Sequence, residues 1–333
     1  MASMKAIEIS AFGGPDVLRA ADLPMPGAQA GEVLIRVAAS GVNAPDLAQR
    51  RGEYAPPEGH SLLPGLEVSG EVVTGSGPLK QGDRVVALTN GGGYSEYVAV
   101  PAGQVLPLPA TWTFAEAAAL PECWFTVTQT LVMRSELMAG MSVLIHGAAG
   151  GVGGAAIQIA TILGARAIAV VSSAEKADYA TSLGAVAVIR HDLEDFVIRT
   201  RELTDGRGAD RIIDMQGGGT TTRNIDAAAR FGHILQLATL EDRNTDLPLN
   251  KLVAKQLTLS GSTLRPQKPE TKAAIATRLL ADIWPALAAP GFPRPRVRSL
   301  ALEQAAEAHR AMENRAHFGK IVLLTRFGAG QER

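Results

Sequence analysis

Ser142-Val-Leu-Ile-His-Gly-Ala-Ala-Gly-Gly-Val-Gly-Gly154 runs from an apolar strand through a cluster of glycines into a helix. Val143, Leu144 and Ile145 read as a short strand buried on both faces, as in a parallel sheet. Beyond the glycines, Val152, Ala156, Ile159, Ala160 and Leu163 recur at helical spacing and predict one apolar stripe. Gly164 follows where a left-handed residue ends a helix. Strand, turn and helix are the parts of a dinucleotide-binding βαβ unit. In such a unit the backbone approaches a pyrophosphate, whose charge meets the unpaired N–H groups of the helix start. One position departs from the usual fingerprint. Ala148 stands in place of the first glycine, while Gly150 and Gly153 fill the other two around Gly151 and Val152.

The context strengthens the pattern. A second strand, Ala167–Val171, ends roughly 20 residues after the glycines, where an NAD-binding unit carries an Asp or Glu for the ribose 2′-hydroxyl. Here Ser172, Ser173, Ala174, Glu175 and Lys176 follow the strand. Two hydroxyls and a lysine suit a 2′-phosphate, and no carboxylate stands at the strand end to repel it. Charge-assisted hydrogen bonds contribute about 1.5–3 kcal/mol each. One or two would favour NADPH over NADH tens-fold. The alternative is a glycine-rich turn of some other α/β protein, with Lys176 an ordinary solvated residue.

At 333 residues the chain is long enough for two domains with ample cores. It is 46% hydrophobic and 20% charged, with a formal net charge of −1. That balance supplies no field for nucleic acid or an anionic membrane, so neither is an expected partner. Gly, Pro or polar residues interrupt every apolar run before it could span a bilayer. The N-terminus, Met-Ala-Ser-Met-Lys, brings charge before an apolar core can build and does not read as a signal peptide. Cys123 is the single cysteine, which excludes an internal disulfide and a cysteine-rich metal site. The expected location is the cytoplasm.

Residues 1–125 read as β-rich. Val33–Val37, Val68–Val73, Val85–Leu88 and Tyr97–Val100 are short strand-like runs punctuated by Gly and Pro. From about 126 the rhythm becomes strand–helix alternation, with strands expected at 142–146, 167–171, 185–189, 210–214, 234–238 and 256–261. Six strands with crossovers predict an α/β fold with a doubly wound parallel sheet. The tail carries helical patterns near 270–288 and 302–314 around a Pro/Gly-rich linker. Its last strand, Lys320–Leu324, is expected to rejoin the first domain. The predicted division is therefore 1–125 with 267–333, and 126–266 inserted between.

The chain resembles the medium-chain dehydrogenase/reductase superfamily. Within it the likeness is to the zinc-free NADPH:quinone oxidoreductases, in the branch that contains the tumour-suppressor-inducible quinone oxidoreductase. The motifs that carry this are Phe12-Gly-Gly-Pro-Asp-Val-Leu18, Gly31–Asn43, Asp46 with Gln49-Arg-Arg-Gly52, and Pro64-Gly-Leu-Glu-Val-Ser-Gly70. Gly82-Asp-Arg-Val85, Gly93–Tyr97, the glycine turn and Phe318-Gly-Lys-Ile-Val322 complete them. The resemblance implies a GroES-like β-rich catalytic domain, a Rossmann NADPH-binding domain, and an active site in the cleft between them. It also implies a homodimer joined through Rossmann edge strands, with Leu257–Ser262 as that edge.

Zinc-dependent members of this superfamily place a Cys where this chain has Asn43 and a His where it has Leu66. The four-cysteine lobe is missing, because Leu88–Tyr94 passes straight to the next strand. Asn and Leu cannot replace a thiolate and an imidazole on zinc, and the six histidines show no ligand-like spacing. No metal is expected. That expectation constrains the acceptor. Reduction of a simple ketone produces an alkoxide whose parent acid has a pKa near that of water, about 15.7. Reduction of a quinone produces a phenolate-like anion, with a parent pKa nearer the roughly 10 of tyrosine. Conjugate reduction of an enone spreads its charge over an enolate. Quinones and related conjugated carbonyls therefore fit a metal-free site better than ketones do.

On the acceptor side the resemblance implies catalytic roles for Asn43, Tyr54 and Asp46. Asn43 would lie near the nicotinamide ribose and the substrate carbonyl. Tyr54 would stack on a quinone or hydrogen-bond its oxygen, with a half-buried surface aromatic as the alternative. Asp46 serves equally well as a helix cap. Ala48 departs from the bacterial quinone reductases, which have a tyrosine there, and predicts a wider pocket. On the cofactor side, Thr126 with the following Thr-x-Thr segment is expected near the nicotinamide, with helix capping as the competing role. Gln216 and Ala238-Thr239-Leu240 end later strands, where cofactors lie. Phe318 and Lys320 match a segment that closes over the cofactor. Arg190 and His191 replace an Asn-Tyr pair of relatives at the 2′-phosphate, with His191 in the tyrosine's place and Arg190 adding charge. His146 reads as a packed strand-end residue, and Cys123 as an inert buried thiol.

Two rival functions remain at this stage. One is an enoyl or alkenal reductase on the same fold. The other is a non-catalytic structural or RNA-binding relative that keeps the nucleotide site.

Overall fold

Strands buried along most of their length build the centre of the first sheet. The computed structural model describes residues 2–314 and 318–331, and His317 therefore lies outside the described residues. The chain divides into two compact units. The first comprises residues 1–125, 265–290 and 294–333. It opens with a hairpin of β1 (Ser3–Ile9) and β2 (Leu18–Pro24), followed by β3 (Glu32–Gly41), β4 (Glu67–Thr74), β5 (Arg84–Leu88), β6 (Tyr97–Pro101) and β7 (Val105–Pro107). Val33, Ile35 and Val37 of β3 pack with Val68 and Val72 of β4 and with Val85 of β5 in one buried cluster.

The tail returns to this unit. Strands β14 (Val297–Ala301) and β15 (Lys320–Leu324) complete a seven-stranded sheet of order β14-β15-β3-β4-β5-β7, with β6 also paired to β3. β15 runs antiparallel to β3, with Val322 opposite Gly41. The helical pattern at 270–288 becomes two helices, Pro269–Asp282 and Trp284–Leu287. Pro285 lacks an N–H and its ring clashes with the preceding turn, so one continuous helix cannot run through it.

The second unit comprises residues 126–264 with 291–293. Its six parallel strands are β8 (Ser142–Ile145), β9 (Arg166–Val171), β10 (Ala187–Arg190), β11 (Ala209–Asp214), β12 (Ala228–Gln236) and β13 (Thr258–Gly261). They lie in the order β10-β9-β8-β11-β12-β13. Numbered within the unit, that order is 3-2-1-4-5-6, the doubly wound arrangement whose strand direction of progress reverses beside β8. β13 is its edge.

The helix after β8, Gly151–Ile162, is buried at every residue from Gly153 to Ala160, so it is wider than the single stripe predicted. One cause lies in the segment 291–293, where the Pro293 carbonyl accepts a hydrogen bond from Gln158 Nε2 at 2.8 Å. Gly164 takes the left-handed conformation, with φ +73°, just past the helix end. Gly153 is fixed by close approach, because a Cβ there would lie 2.5 Å from both Ala148 Cα and the Gly147 carbonyl oxygen. Gly153→Val should therefore destabilise the protein by about 1–3 kcal/mol in chemical denaturation and weaken nucleotide binding. Gly219→Ala, where a Cβ meets nothing within 4 Å, is the matched control and should shift stability by no more than about 0.5 kcal/mol.

Candidate active site

The acceptor-side residues of the first unit converge at the start of helix α1 (Ala44–Arg51). Asn43 is its N-cap, and the Asn43 backbone N–H donates to Asp46 Oδ2 at 2.9 Å. Asp46 Oδ1 accepts the Gly65 N–H at 2.8 Å. Asp46 is fully buried, so both its oxygens serve backbone donors. Burial raises its pKa to about 6, although the two backbone bonds pull the other way. Of the two roles open in the sequence, the structure gives Asp46 the cap. Its carboxylate holds the start of α1 and the Gly65 backbone together.

The Asn43 side chain turns away from the cap toward a buried ion pair. Asn43 Nδ2 donates to Glu67 Oε1 at 2.7 Å. Lys320 Nζ donates to the same oxygen at 2.5 Å and to Asn43 Oδ1 at 2.6 Å. Glu67 Oε2 accepts the Glu122 N–H at 2.9 Å. Lys320 is 5% exposed and Glu67 0%. The pairing of β15 with β3 brings the lysine here, and Gly41 makes room, since a Cβ there would stand 2.0 Å from Glu67 Oε1. Burial alone would lower the Lys320 pKa. Cys123, when ionised, and Glu67 outweigh it and hold the ammonium well above the usual lysine range. Lys320 was expected at the cofactor. Instead its three donors are turned to Glu67, Asn43 and, at 3.4 Å, the Val42 carbonyl.

Cys123 lies 3.8 Å from Lys320 Nζ, and burial pushes its thiol up to about 12, as an inert cysteine requires. Tyr54 is partly buried, with the Arg265 guanidinium 5.7 Å from its ring centre. Burial first, and Glu122 second, raise the Tyr54 pKa. Arg265 Nη1 donates to Gln49 Oε1 at 2.7 Å. Lys272 Nζ donates to Asn90 Oδ1 at 2.6 Å and to the Arg265 carbonyl at 2.8 Å. Burial lowers the Lys272 pKa to about 8.

Glu67, Glu122, Arg265 and Lys272 went unread in the sequence. Glu67 follows Leu66 inside a quoted motif, and its polarity within an apolar run was the available signal. Arg265 and Lys272 had none, because they reach Gln49 and Asn90 from more than 170 positions away.

In the second unit the turn after β8 places Gly147 at φ +60° and Gly150 as the N-cap of the helix, with Ala148 buried. The N–H groups of Gly151, Val152 and Gly153 precede the first intrahelical bond, which Gly154 makes to Gly150. Gln216 stands beside the turn, since a Cβ on Gly147 would be 3.6 Å from Gln216 Nε2. The segment holding Ala238, Thr239 and Leu240 is tied to the same place by Leu240 N–H to the Met215 carbonyl, 3.0 Å. At the end of β9, Lys176 Nζ donates to Ser172 Oγ at 2.9 Å, and Ser173 Oγ caps the next helix by accepting the Lys176 N–H at 3.3 Å.

Register pairs Arg190 with Val171, so Arg190 and His191 flank this group. The Arg190 guanidinium, however, is engaged by Asp192 at 2.5 and 2.7 Å. Thr126 offers its carbonyl to the Thr130 hydroxyl at 2.7 Å, at the start of a π-helical stretch, Thr128–Arg134. Phe318, in the first unit, packs under the Arg296 guanidinium at 4.5 Å.

Residues 29–110 match the alcohol dehydrogenase GroES-like domain, and residues 151–281 match the zinc-binding dehydrogenase domain. The quinone oxidoreductase of Rattus norvegicus is 31% identical over 96% of this chain and 98% of its own. The chain belongs to the quinone oxidoreductase family of the medium-chain dehydrogenase/reductases. Among solved structures of this superfamily, the Escherichia coli quinone oxidoreductase complexed with NADPH superposes with a TM-score of 0.80. It is 31% identical and covers 96% of this chain and 99% of its own. A structure described as an NAD-dependent alcohol dehydrogenase superposes at 0.84, with 33% identity over 96% of this chain and 99% of its own.

Zinc does not fit the residues that this family member presents at Asn43 and Leu66. Leu66 is 1% exposed and apolar, and the space around Asn43 and Glu67 holds an ammonium. Among the described residues no group of three or more His, Cys, Asp or Glu could hold a metal ion. Lys320→Met should cost about 3–5 kcal/mol in denaturant unfolding, because it strands the buried Glu67 charge. Lys320→Met combined with Glu67→Gln should recover part of that loss. Equal stability of Lys320→Met and the parent would contradict a structural ion pair.

Proposed function

We propose that the protein is an NADPH-dependent, zinc-independent oxidoreductase that reduces a quinone or a related conjugated carbonyl. The observation that carries the reading is the Lys320 ammonium seated against Glu67 and Asn43, where zinc-dependent members of the family keep a cysteine ligand. A side-chain cation built into the fold leaves no Lewis-acid position to stabilise an alkoxide. Acceptors whose reduced form delocalises its own charge are then the ones that react.

NADPH fits the second unit on two grounds. The turn at Gly147–Gly153 leaves no room for a Cβ at Gly153, and Lys176 and Ser172 stand together where a 2′-phosphate would be recognised. Gly150, Gly151, Val152 and Gly153 would hold the pyrophosphate, with Ala148 beside it, and Ser172, Ser173 and Lys176 the 2′-phosphate. Arg190 and His191 would flank that phosphate. Thr126, Gln216, Ala238, Thr239 and Leu240 would line the nicotinamide side, and Phe318 would also contact the cofactor. The bound cofactor supplies a hydride from its nicotinamide. Tyr54 orients the acceptor with its ring and hydroxyl, and Asn43 keeps one amide hydrogen beyond its bond to Glu67. Positioning and preset charge supply most of the rate. Ala48, partly exposed on α1, leaves the pocket open to bulky quinones.

The same reading includes a homodimer through β13, an edge strand close in sequence to the exposed Leu249 and Val253. It also places the enzyme in the cytoplasm. No helix among the described residues is long and apolar enough to cross a membrane.

Fluorescence titration should give NADPH at least tenfold tighter than NADH, and Lys176→Ala should weaken NADPH about tenfold while leaving NADH within about twofold. With NADPH, benzoquinone and naphthoquinones should turn over faster than 2-alkenals, enoyl thioesters and simple ketones. Tighter NADH, or faster turnover of alkenals than of quinones, would overturn the reading.

A further inference from the structure

Asp214 ends β11 as a fully buried carboxylate whose charge is met by four neutral donors. Its Oδ1 accepts the Gln216 N–H at 2.7 Å and the Gly217 N–H at 3.2 Å. Its Oδ2 accepts the Thr221 hydroxyl at 2.7 Å and Asn224 Nδ2 at 3.0 Å, both from the helix Gly218–Ala227. Taking a carboxylate out of water is costly unless such donors are kept, so the charge fixes the path of the chain around it. Gly217 allows that path by taking φ +79°.

The same group reaches the end of β12. The Thr221 hydroxyl also stands 2.8 Å from Gln236 Oε1, and Gln236 Nε2 donates to the Ala238 carbonyl at 2.7 Å. The Asp214 carbonyl accepts the Leu237 N–H at 2.8 Å, and the Gln216 carbonyl accepts the Glu241 N–H at 2.8 Å. The loops that carry Gln216 and Ala238–Leu240 are thereby tied into one piece. On its other side Asn224 turns its oxygen to His146 Nε2 at 2.8 Å, just past the end of β8.

We propose that Asp214 is a positioning residue for the nicotinamide half of the cofactor, holding both loops that would line the ring. The inference rests on the reading that puts Gln216 and Ala238–Leu240 on the nicotinamide side, and it names the group that sets them there. It acts through the Gln216 and Gly217 N–H groups on one loop and through Thr221 and Gln236 on the other. Presetting matters because hydride transfer depends steeply on the placement of the reacting atoms.

The groups expected at the phosphates have separate supports. The glycine turn is closed by the Gly150 N–H on the Gly147 carbonyl at 3.0 Å and tied to β9 by the Ala148 N–H on the Val170 carbonyl at 3.3 Å. Lys176 and Ser172 hold each other at 2.9 Å. Loss of Asp214 should therefore disturb one half of the nucleotide and spare the other. Adenosine 2′,5′-bisphosphate, which has the 2′-phosphate but no nicotinamide, reads the spared half by itself.

Calorimetric titration of the full-length protein with both ligands is the test. Asp214→Asn puts an N–H donor among groups that themselves donate. It should weaken NADPH about tenfold and leave adenosine 2′,5′-bisphosphate within about twofold of the parent. The emission of bound NADPH should move toward that of the free cofactor, because its ring is less confined. Thr221→Val keeps the carboxylate and should show the same split at about threefold, whereas Thr221→Ser, which restores the hydroxyl, should match the parent. Should Asp214→Asn fold poorly, the two Thr221 variants decide the matter. Equal weakening of both ligands marks a general structural defect and overturns the proposal. So does parent-like NADPH binding in Asp214→Asn or, where that variant does not fold, in Thr221→Val. If the parent itself binds neither ligand, the NADPH reading fails and the positioning role falls with it. Binding needs no acceptor, so failure of the quinone assignment alone leaves this test intact.

Discussion

The buried contact between Lys320 and Glu67 is the constraint around which the first unit is organised. Two charges removed from water cost several kcal/mol each, and their attraction offsets this only where the remaining donors and acceptors are also satisfied. Here they are. Asn43 bridges both partners, the Glu122 N–H takes the second Glu67 oxygen, and the Val42 carbonyl faces the ammonium. Meeting these conditions fixes much else. The final strand must return to β3 to deliver Lys320, and Gly41 must lack a side chain so that the carboxylate can approach. The Asn43 amide must abandon its usual capping role, which Asp46 assumes from the other end of the first turn.

That arrangement also sorts the ionisable groups. The strongest cation is spent on one carboxylate, so the neighbouring acids are buried with weaker compensation and are pushed upward, Asp46 to about 6 and Glu122 to about 8. Burial likewise pulls Lys272 down to about 8. A site built this way holds its structural charge permanently and leaves other groups able to exchange protons near neutral pH.

Most of the fold was legible because it is written in local signals. Val143–Ile145 followed by glycines could hardly be anything but a central parallel strand, and short apolar runs punctuated by Gly and Pro marked the strands of the first unit. The return of Lys320–Leu324 was also readable, since a strand that follows the inserted sheet needs an edge to join. What the sequence did not show was non-local or depended on competition for one partner. Pro285 divides a helix that periodicity ran together. Asp192, two residues along, occupies the guanidinium of Arg190. Lys320 sits in the right motif, yet its direction is set by Glu67, more than 250 positions away. Arg265, Lys272 and Glu122 carry no motif in themselves. They matter through contacts with Gln49, Asn90 and Glu67, and sequence spacing gives no measure of those.

The central proposal is that the chain works without zinc, with the Lys320 ammonium held against Glu67 and Asn43. It is tested most directly by elemental analysis of the purified protein, coupled to a quinone-reduction assay after exhaustive dialysis against a chelator. The account predicts zinc far below one per chain and unchanged NADPH-dependent turnover. Stoichiometric zinc whose removal abolishes turnover, and whose return restores it, would contradict the account.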